Sequence, residues 1–292
     1  MKIVRLLGLI FVLLLVAASC KKKTKVKKDS YFKGELVILT DESFRSVTEA
    51  LADGYMINYP EASLKVKAEK EDFALMGLLQ NKAKAVVMSR ELTAAEKEEF
   101  KRVTDMDPVP AQFAADAVLF VVPKNSPKTQ ITMDEIRSEV ASESKNIVFD
   151  ATNSSNLNFV AQKLGKKAAD LKFSIINGNR NVIEQISRYP DKVGVVALNT
   201  FSRPYDEESE LLRQQVKILP VVDSNVAYLP NNDNLRNMNY PFTRILYFLT
   251  NEKTFDMANG LMRYSCSYVG QKIVQKEGLQ PYYLFQREVQ MR

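Results

Sequence analysis

Three places in the chain run an apolar strand straight into a helix through a turn crowded with hydroxyls, amides and acids. They are Leu36-Val-Ile-Leu-Thr40-Asp41-Glu42-Ser43-Phe44, then Val86-Val-Met-Ser89-Arg90-Glu91-Leu-Thr93, then Ile147-Val-Phe-Asp150-Ala-Thr152-Asn153-Ser154-Ser155-Asn156. A helix start leaves backbone N–H groups without intrahelical partners and carries the positive end of the helix dipole. It therefore takes either a capping side chain or an anion. Any one junction is satisfied by ordinary capping. Three of a kind, two in a first α/β segment and one in a second, fit strand-end loops that face each other across a cleft, where open parallel sheets bind their ligands.

Much other chemistry is excluded. The chain has no histidine, which removes Ser-His-Asp and Cys-His catalysis and leaves no imidazole ligands for zinc. Neither G-x-x-x-x-G-K-[ST] nor G-x-G-x-x-G occurs. Ser142-Glu-Ser-Lys145 has the spacing of a Ser-Lys nucleophile pair, but it lies in a polar linker before a strand and lacks a Lys-Thr-Gly partner. Nothing marks a second catalytic carboxylate to match Asp41-Glu42. The expectation is a protein that is not an enzyme and carries no metal or other cofactor.

The elements that position the junctions alternate strand and helix. Strands are expected over Glu35–Leu39, Ser63–Ala68, Lys84–Met88, Asp116–Val122, Asn146–Phe149, 173–177, Val193–Leu198, Val216–Val222 and Arg244–Leu249. Helices are expected over 43–57, Phe73–Leu79, Thr93–Phe100, Met133–Val140, Leu157–Leu164, 181–188 and a long one near 253–276. On that last helix Cys266 falls on the apolar face with Phe255, Ala258, Met262, Val269 and Ile273, as a buried core thiol. The polar stretches Arg203–Gln215 and Pro230–Tyr240 read as loops. Strand–helix alternation at this spacing argues for α/β layers with largely parallel sheets.

The start of the chain reads as a processing signal rather than as fold. Lys2 and Arg5 precede the apolar run Leu6–Val16, and Ala17-Ala18-Ser19 abut Cys20, a pattern that resembles a bacterial lipobox with Cys20 as the lipidated residue. An uncleaved membrane anchor is the competing reading. Residues 1–28 hold eight of the 41 Lys+Arg and no acid, so the remainder has 33 bases against 35 acids, a net charge of −2. The basic balance belongs to leader and tether, which argues against a nucleic-acid partner and suits either a membrane surface or a solvated spacer.

The order LVILTDESF, AVVMSRELT, AVLFVVPKNSP, IVFDATNSSN, VGVVAL, YPFTRILYFLT resembles the PstS-like phosphate-binding lipoproteins, type II periplasmic binding proteins of ABC transporters. The resemblance covers roughly residues 34–285. It implies an α/β fold of two lobes with mostly parallel sheets, joined by two interlobe crossovers that close like a clamp on an oxyanion. Lobe 1 would hold 32–119 plus 226–292, and lobe 2 would hold 120–225, after a signal peptide (1–19) and a basic tether (20–31). It further implies that Thr40, Ser43 and Phe44 form the first anion loop and that Ser89 supplies the second hydroxyl with Arg90 beside it. Ser154, Ser155 and Asn156 fall where the family shows Ser-Gly-Thr. The family arginine falls on Asp150, the tryptophan-bearing segment is absent, and Asp41 is a candidate acceptor for the proton of a protonated oxyanion. The implied function is capture of an oxyanion, phosphate first, for an ABC permease. The implied protein is a monomer tethered in the periplasm of a bacterium. The alternative is an accessory envelope lipoprotein that uses the same fold to bind a protein partner.

Overall fold

The computed structural model describes residues 30–284, so the leader, Cys20 and the Lys-rich tether lie outside the described residues. No helix among the described residues is long and apolar enough to cross a membrane.

The chain opens with β1 (Lys33–Thr40), a 3-10 turn (Glu42–Phe44), α1 (Arg45–Asn58), β2 (Glu61–Ala68), α2 (Glu71–Leu79), β3 (Ala85–Met88) and α3 (Ala94–Thr104). The long strand β4 (Ala111–Pro123) follows, then β5 (Ile131–Thr132), α4 (Met133–Glu139), β6 (Ile147–Phe149), α5 (Ser155–Lys163), β7 (Ser174–Ile175), α6 (Asn179–Gln185) and β8 (Val193–Ala197). The remainder is α7 (Glu207–Gln215), β9 (Val216–Ile218), β10 (Val221–Asp223), β11 (Val226–Tyr228), α8 (Asn232–Arg236), β12 (Thr243–Thr250), α9 (Met257–Ser265), α10 (Tyr268–Lys276) and β13 (Gln280–Pro281).

Ten strands form one curled mixed sheet in the order β2-β1-β3-β12-β4-β8-β6-β7, with β9 and β13 also paired to β4, and β11-β10-β5 make a separate three-stranded sheet. Pairing is parallel among β2, β1 and β3 on one side and among β8, β6 and β7 on the other. It turns antiparallel at β12 and β4, which run through the middle and link the two halves. The expected parallel character therefore holds within each lobe, and the crossovers supply the antiparallel pairs. Each lobe has its own apolar core. One gathers Ile38, Phe44, Val47, Leu51, Tyr55, Phe113 and Phe248. The other gathers Phe120, Val121, Val148, Phe149, Val160, Val182 and Val195. Leu235, Tyr240 and Phe242 also pack in this second core.

Four local expectations are corrected. Residues 203–215 are not all loop: Asp206 caps α7 by accepting from Ser209 N at 2.8 Å, and buried Leu212 anchors the helix. The Asn-rich segment contains α8, capped by Asn231 through Asn234 N at 2.9 Å. The strand expected at Val216–Val222 divides at Pro220, which has no N–H to continue the ladder, and its two parts join different sheets. The long C-terminal helix breaks at Cys266-Ser267. Gly270 there lies so near the Tyr264 and Ser265 carbonyls that an added Cβ would stand 2.3 and 2.6 Å from them, and Ser267 caps the new helix. Cys266 consequently ends α9, half-buried, with its Sγ donating to the Gln112 carbonyl at 3.4 Å.

Candidate functional site

Three helix starts converge on one side chain. Asp41 ends the first junction, and its Oδ1 accepts from Ser43 N at 3.0 Å, an ordinary cap. Its Oδ2 reaches further and accepts from Glu71 N and from Ser155 N, each at 3.1 Å. Glu71 is the first residue of α2 in lobe 1, and Ser155 is the first of α5 in lobe 2. The carboxylate thus takes N–H groups from both lobes, where two helix dipoles and a capped turn favour negative charge.

Two further buried acids flank it. Glu71 Oε1 accepts from Ser89 N and Ser89 Oγ, both at 2.8 Å. Asp150 Oδ1 accepts from Ser154 Oγ at 2.9 Å and Asn156 Nδ2 at 3.0 Å. Its Oδ2 lies 3.4 Å from Lys70 Nζ and accepts from Asn179 Nδ2 at 3.4 Å. Among the described residues, the cations close by are tied to these acids. Arg90 spans Glu71 at 3.4 Å, Asp72 at 2.9 Å and Glu96 at 2.7 Å. Lys70 bridges Asp150 at 3.4 Å and Glu42 at 3.6 Å.

The pKa directions follow from this crowding. Burial, aided by the Asp41 charge, pushes Asp150 up to about 6 against the pull of Lys70, Ser154 and Asn156. Burial also raises Glu71, with Arg90 opposing and Asp41 reinforcing the rise. Burial works against the Arg90 charge, but Glu96, Glu71 and Asp72 outweigh it and hold the guanidinium protonated more firmly than usual.

Further bonds close the lobes around this centre. Asn179 donates to Ser43 Oγ at 3.1 Å, and Asn158 donates to Asp72 Oδ1 at 2.8 Å. Gln162 and the Glu91 backbone exchange two bonds of 3.0 Å. Asn153 takes a left-handed φ of 59°, which asparagine tolerates, and this turn brings its carbonyl to Asp72 N at 3.5 Å. Gly178, at φ 89°, sets the backbone that aims Asn179 inward and donates its N–H to the Asp150 carbonyl at 2.9 Å.

The three junctions do meet, with roles that differ in detail from the expectation. Ser43 and Ser155 point backbone N–H groups at the centre, whereas Asp41 sits in it as the acceptor. Thr40 Oγ1 turns to Thr48 Oγ1 at 3.3 Å and to the Asp41 carbonyl at 3.2 Å. Phe44 packs in the core beneath the Arg244 guanidinium, 4.5 Å from ring centre to Cζ. Ser89 and Arg90 are consumed by Glu71, and Ser154 and Asn156 by Asp150. Ser155 Oγ and Asn156 Oδ1 are buried without a hydrogen-bond partner.

Sequence reasoning missed Lys70, Glu71, Asp72 and Asn179. The β2–α2 junction reads Ala68-Glu69-Lys70-Glu71-Asp72, which has no hydroxyl, and acids in a first helical turn are ordinary dipole partners. Its signal was its position, a fourth strand-to-helix turn beside the first. Asn179 follows Gly178 at the start of a helix with no side-chain cap, and that pairing was its only mark.

Because Asn156 Nδ2 also donates to Asn179 Oδ1 at 2.8 Å, Asn156→Ala removes donors from two buried acceptors. It is expected to destabilise the fold by about 1–3 kcal/mol, read by urea denaturation, rather than leave stability unchanged.

Residues 26–268 match the PBP superfamily domain. A Clostridium perfringens protein described as a phosphate ABC transporter substrate-binding protein, with phosphate bound, superposes with TM-score 0.69 at 19% identity, covering 86% of this chain and all of that one. An ABC-type phosphate transport receptor from Vibrio cholerae superposes with TM-score 0.64 at 17% identity, over 84% of this chain and 99% of that one. The regulatory domain of Pseudomonas aeruginosa OxyR shares the fold more distantly, with TM-score 0.51 at 9% identity over 80% of this chain and all of that one. Comparison with curated protein sequences found no match.

Proposed function

This chain belongs to the PBP superfamily, and we propose from that premise that it is a solute-binding protein of the cell envelope whose ligand is an oxyanion of the phosphate class. One observation carries the reading: N–H groups of Ser43, Glu71 and Ser155, from helix starts on two lobes, converge on the two oxygens of one buried carboxylate. The Ser155 hydroxyl and the Asn156 carbonyl, both without partners, add donor and acceptor capacity for a protonated tetrahedral anion beside it. A ligand oxygen at that position accepts from backbone groups in fixed orientation, and charge-assisted bonds of this kind contribute about 1.5–3 kcal/mol each.

Thr40, Asp41, Ser43, Phe44, Ser89, Arg90, Ser154, Ser155 and Asn156 form the proposed site and its immediate support. Lipidation of Cys20 would hold the body at a bacterial membrane on the periplasmic side, and an ABC permease is the proposed recipient. The bound-phosphate relative and the phosphate transport receptor among the similar structures support the phosphate-class ligand and the transporter recipient. The reading is of a binding protein, in line with the substrate-binding protein and the transport receptor among the similar structures.

Isothermal titration with phosphate, sulfate and molybdate tests it. Phosphate is expected to bind with a dissociation constant of micromolar order, about −8 kcal/mol. Heats indistinguishable from dilution for all three anions would refute the oxyanion reading and favour a protein partner.

A further inference from the structure

The acceptor at the convergence of the three helix starts belongs to the chain itself. Asp41 Oδ2 lies at 3.1 Å from both Glu71 N and Ser155 N, and Oδ1 at 3.0 Å from Ser43 N. A cap needs one such bond, and the Ser43 N–H already provides it. The two additional bonds have no role in ending β1 or starting α1. They come from donors 30 and 114 residues away, and the second crosses between lobes. Carboxylate and phosphate share an O–C–O or O–P–O edge that accepts N–H groups in the same directions, so Asp41 presents to these donors what an oxyanion presents.

From this geometry we infer that the Asp41 carboxylate is an intramolecular ligand: it seats in the anion position, holds the two lobes together without solute, and must leave for an oxyanion to enter. The inference deepens the oxyanion reading and rests on it for the identity of the competing solute. An internal competitor lowers the fraction of binding-competent protein, so the apparent dissociation constant exceeds the intrinsic one by the reciprocal of that fraction. A clamp of this design is shut by default, and solute exchanges one closed form for another.

Two variants of the full-length protein test it by amide hydrogen exchange and phosphate titration. Asp41→Ala removes the internal ligand. Ser155→Pro removes the N–H that lobe 2 offers, together with a hydroxyl that has no hydrogen-bond partner here: Ser155 is the first residue of α5, where proline is accommodated, and Ser154 already has the extended backbone that a following proline requires. The reporter is the Glu91 amide, which bonds Gln162 of the other lobe, two turns along α5 from Ser155. Its exchange is expected to quicken at least tenfold in both variants, and Asp41→Ala is expected to bind phosphate at least tenfold more tightly than wild type. Loss of a mere cap would not tighten binding. Unchanged Glu91 exchange in both variants overturns the inference, as does weaker phosphate binding by Asp41→Ala, which would make Asp41 a solute contact. Faster exchange in both variants with no phosphate bound by any of them supports the internal ligand and refutes the oxyanion reading instead. If Asp41→Ala fails to fold, Ser155→Pro alone decides by its exchange.

Discussion

Replacing Arg244 by alanine is expected to cost about 3–5 kcal/mol of folding stability, the largest effect of any single change considered. Arg244 and Asp116 are directly opposed on β12 and β4, the two strands that cross between the lobes. Both side chains are fully buried, with Nη2 and Nε at 2.7 and 2.9 Å from the same Asp116 oxygen. The other Asp116 oxygen accepts from Asn199 N at 3.0 Å, and the guanidinium lies over Phe44. Burial pushes Asp116 up and Arg244 opposes it, so removing the arginine strands a fully buried carboxylate without its counter-charge. The pair itself is a different matter from its breakage. A volume-matched apolar pair, Arg244→Met with Asp116→Leu, is expected to recover most of the loss. Urea denaturation of both singles and the double gives the coupling energy, and strictly additive losses would show that the pair does not act as a unit.

The second large effect is a pH dependence set by Asp150. Its pKa stands near 6 in the folded chain against 3.8 for an ordinary aspartate. The folded state therefore binds this proton more tightly than the unfolded one, and the slope of unfolding free energy with pH is negative between the two values. Stability from this group is greatest near pH 4, falls as pH rises through about 6, and stays low above it. About two pKa units correspond to about 3 kcal/mol. Asp150→Asn keeps the shape and one acceptor while removing the titration. It is expected to be more stable than wild type at pH 8 by about 1–2 kcal/mol, the remainder being lost with the Lys70 attraction, and to lose that advantage by pH 4.5. Denaturation curves of the two proteins that run parallel from pH 4.5 to 8 would refute the assignment.

These two effects show how differently local and distant information entered the structure. Strand and helix positions were legible wherever periodicity is strong: β1, β3, β6 and β12 lie where apolar runs stand, because a strand buried on both faces needs an unbroken apolar sequence. Thr93 and Glu96 announce α3 through a capping box whose partners are three residues apart. Elements held by weak local signals were misread. A capped helix at Glu207–Gln215 looked like a polar loop, and Gly270 hid the break after α9.

The candidate site divides along the same line. By itself the sequence determined that strand-to-helix turns rich in donors exist on two α/β segments, that histidine chemistry is absent, and that residues 29–292 are slightly acidic. Those properties depend on residue type and near neighbours. Only the tertiary structure decided which group uses the donors. Asp41 reaches Glu71 across 30 residues and Ser155 across 114, and Asn179 reaches Ser43 across 136. No spacing rule encodes such partners, because the cost of an unpaired buried N–H selects whichever acceptor the closed lobes bring within about 3 Å, regardless of its place in the chain. Here that acceptor is the protein's own carboxylate.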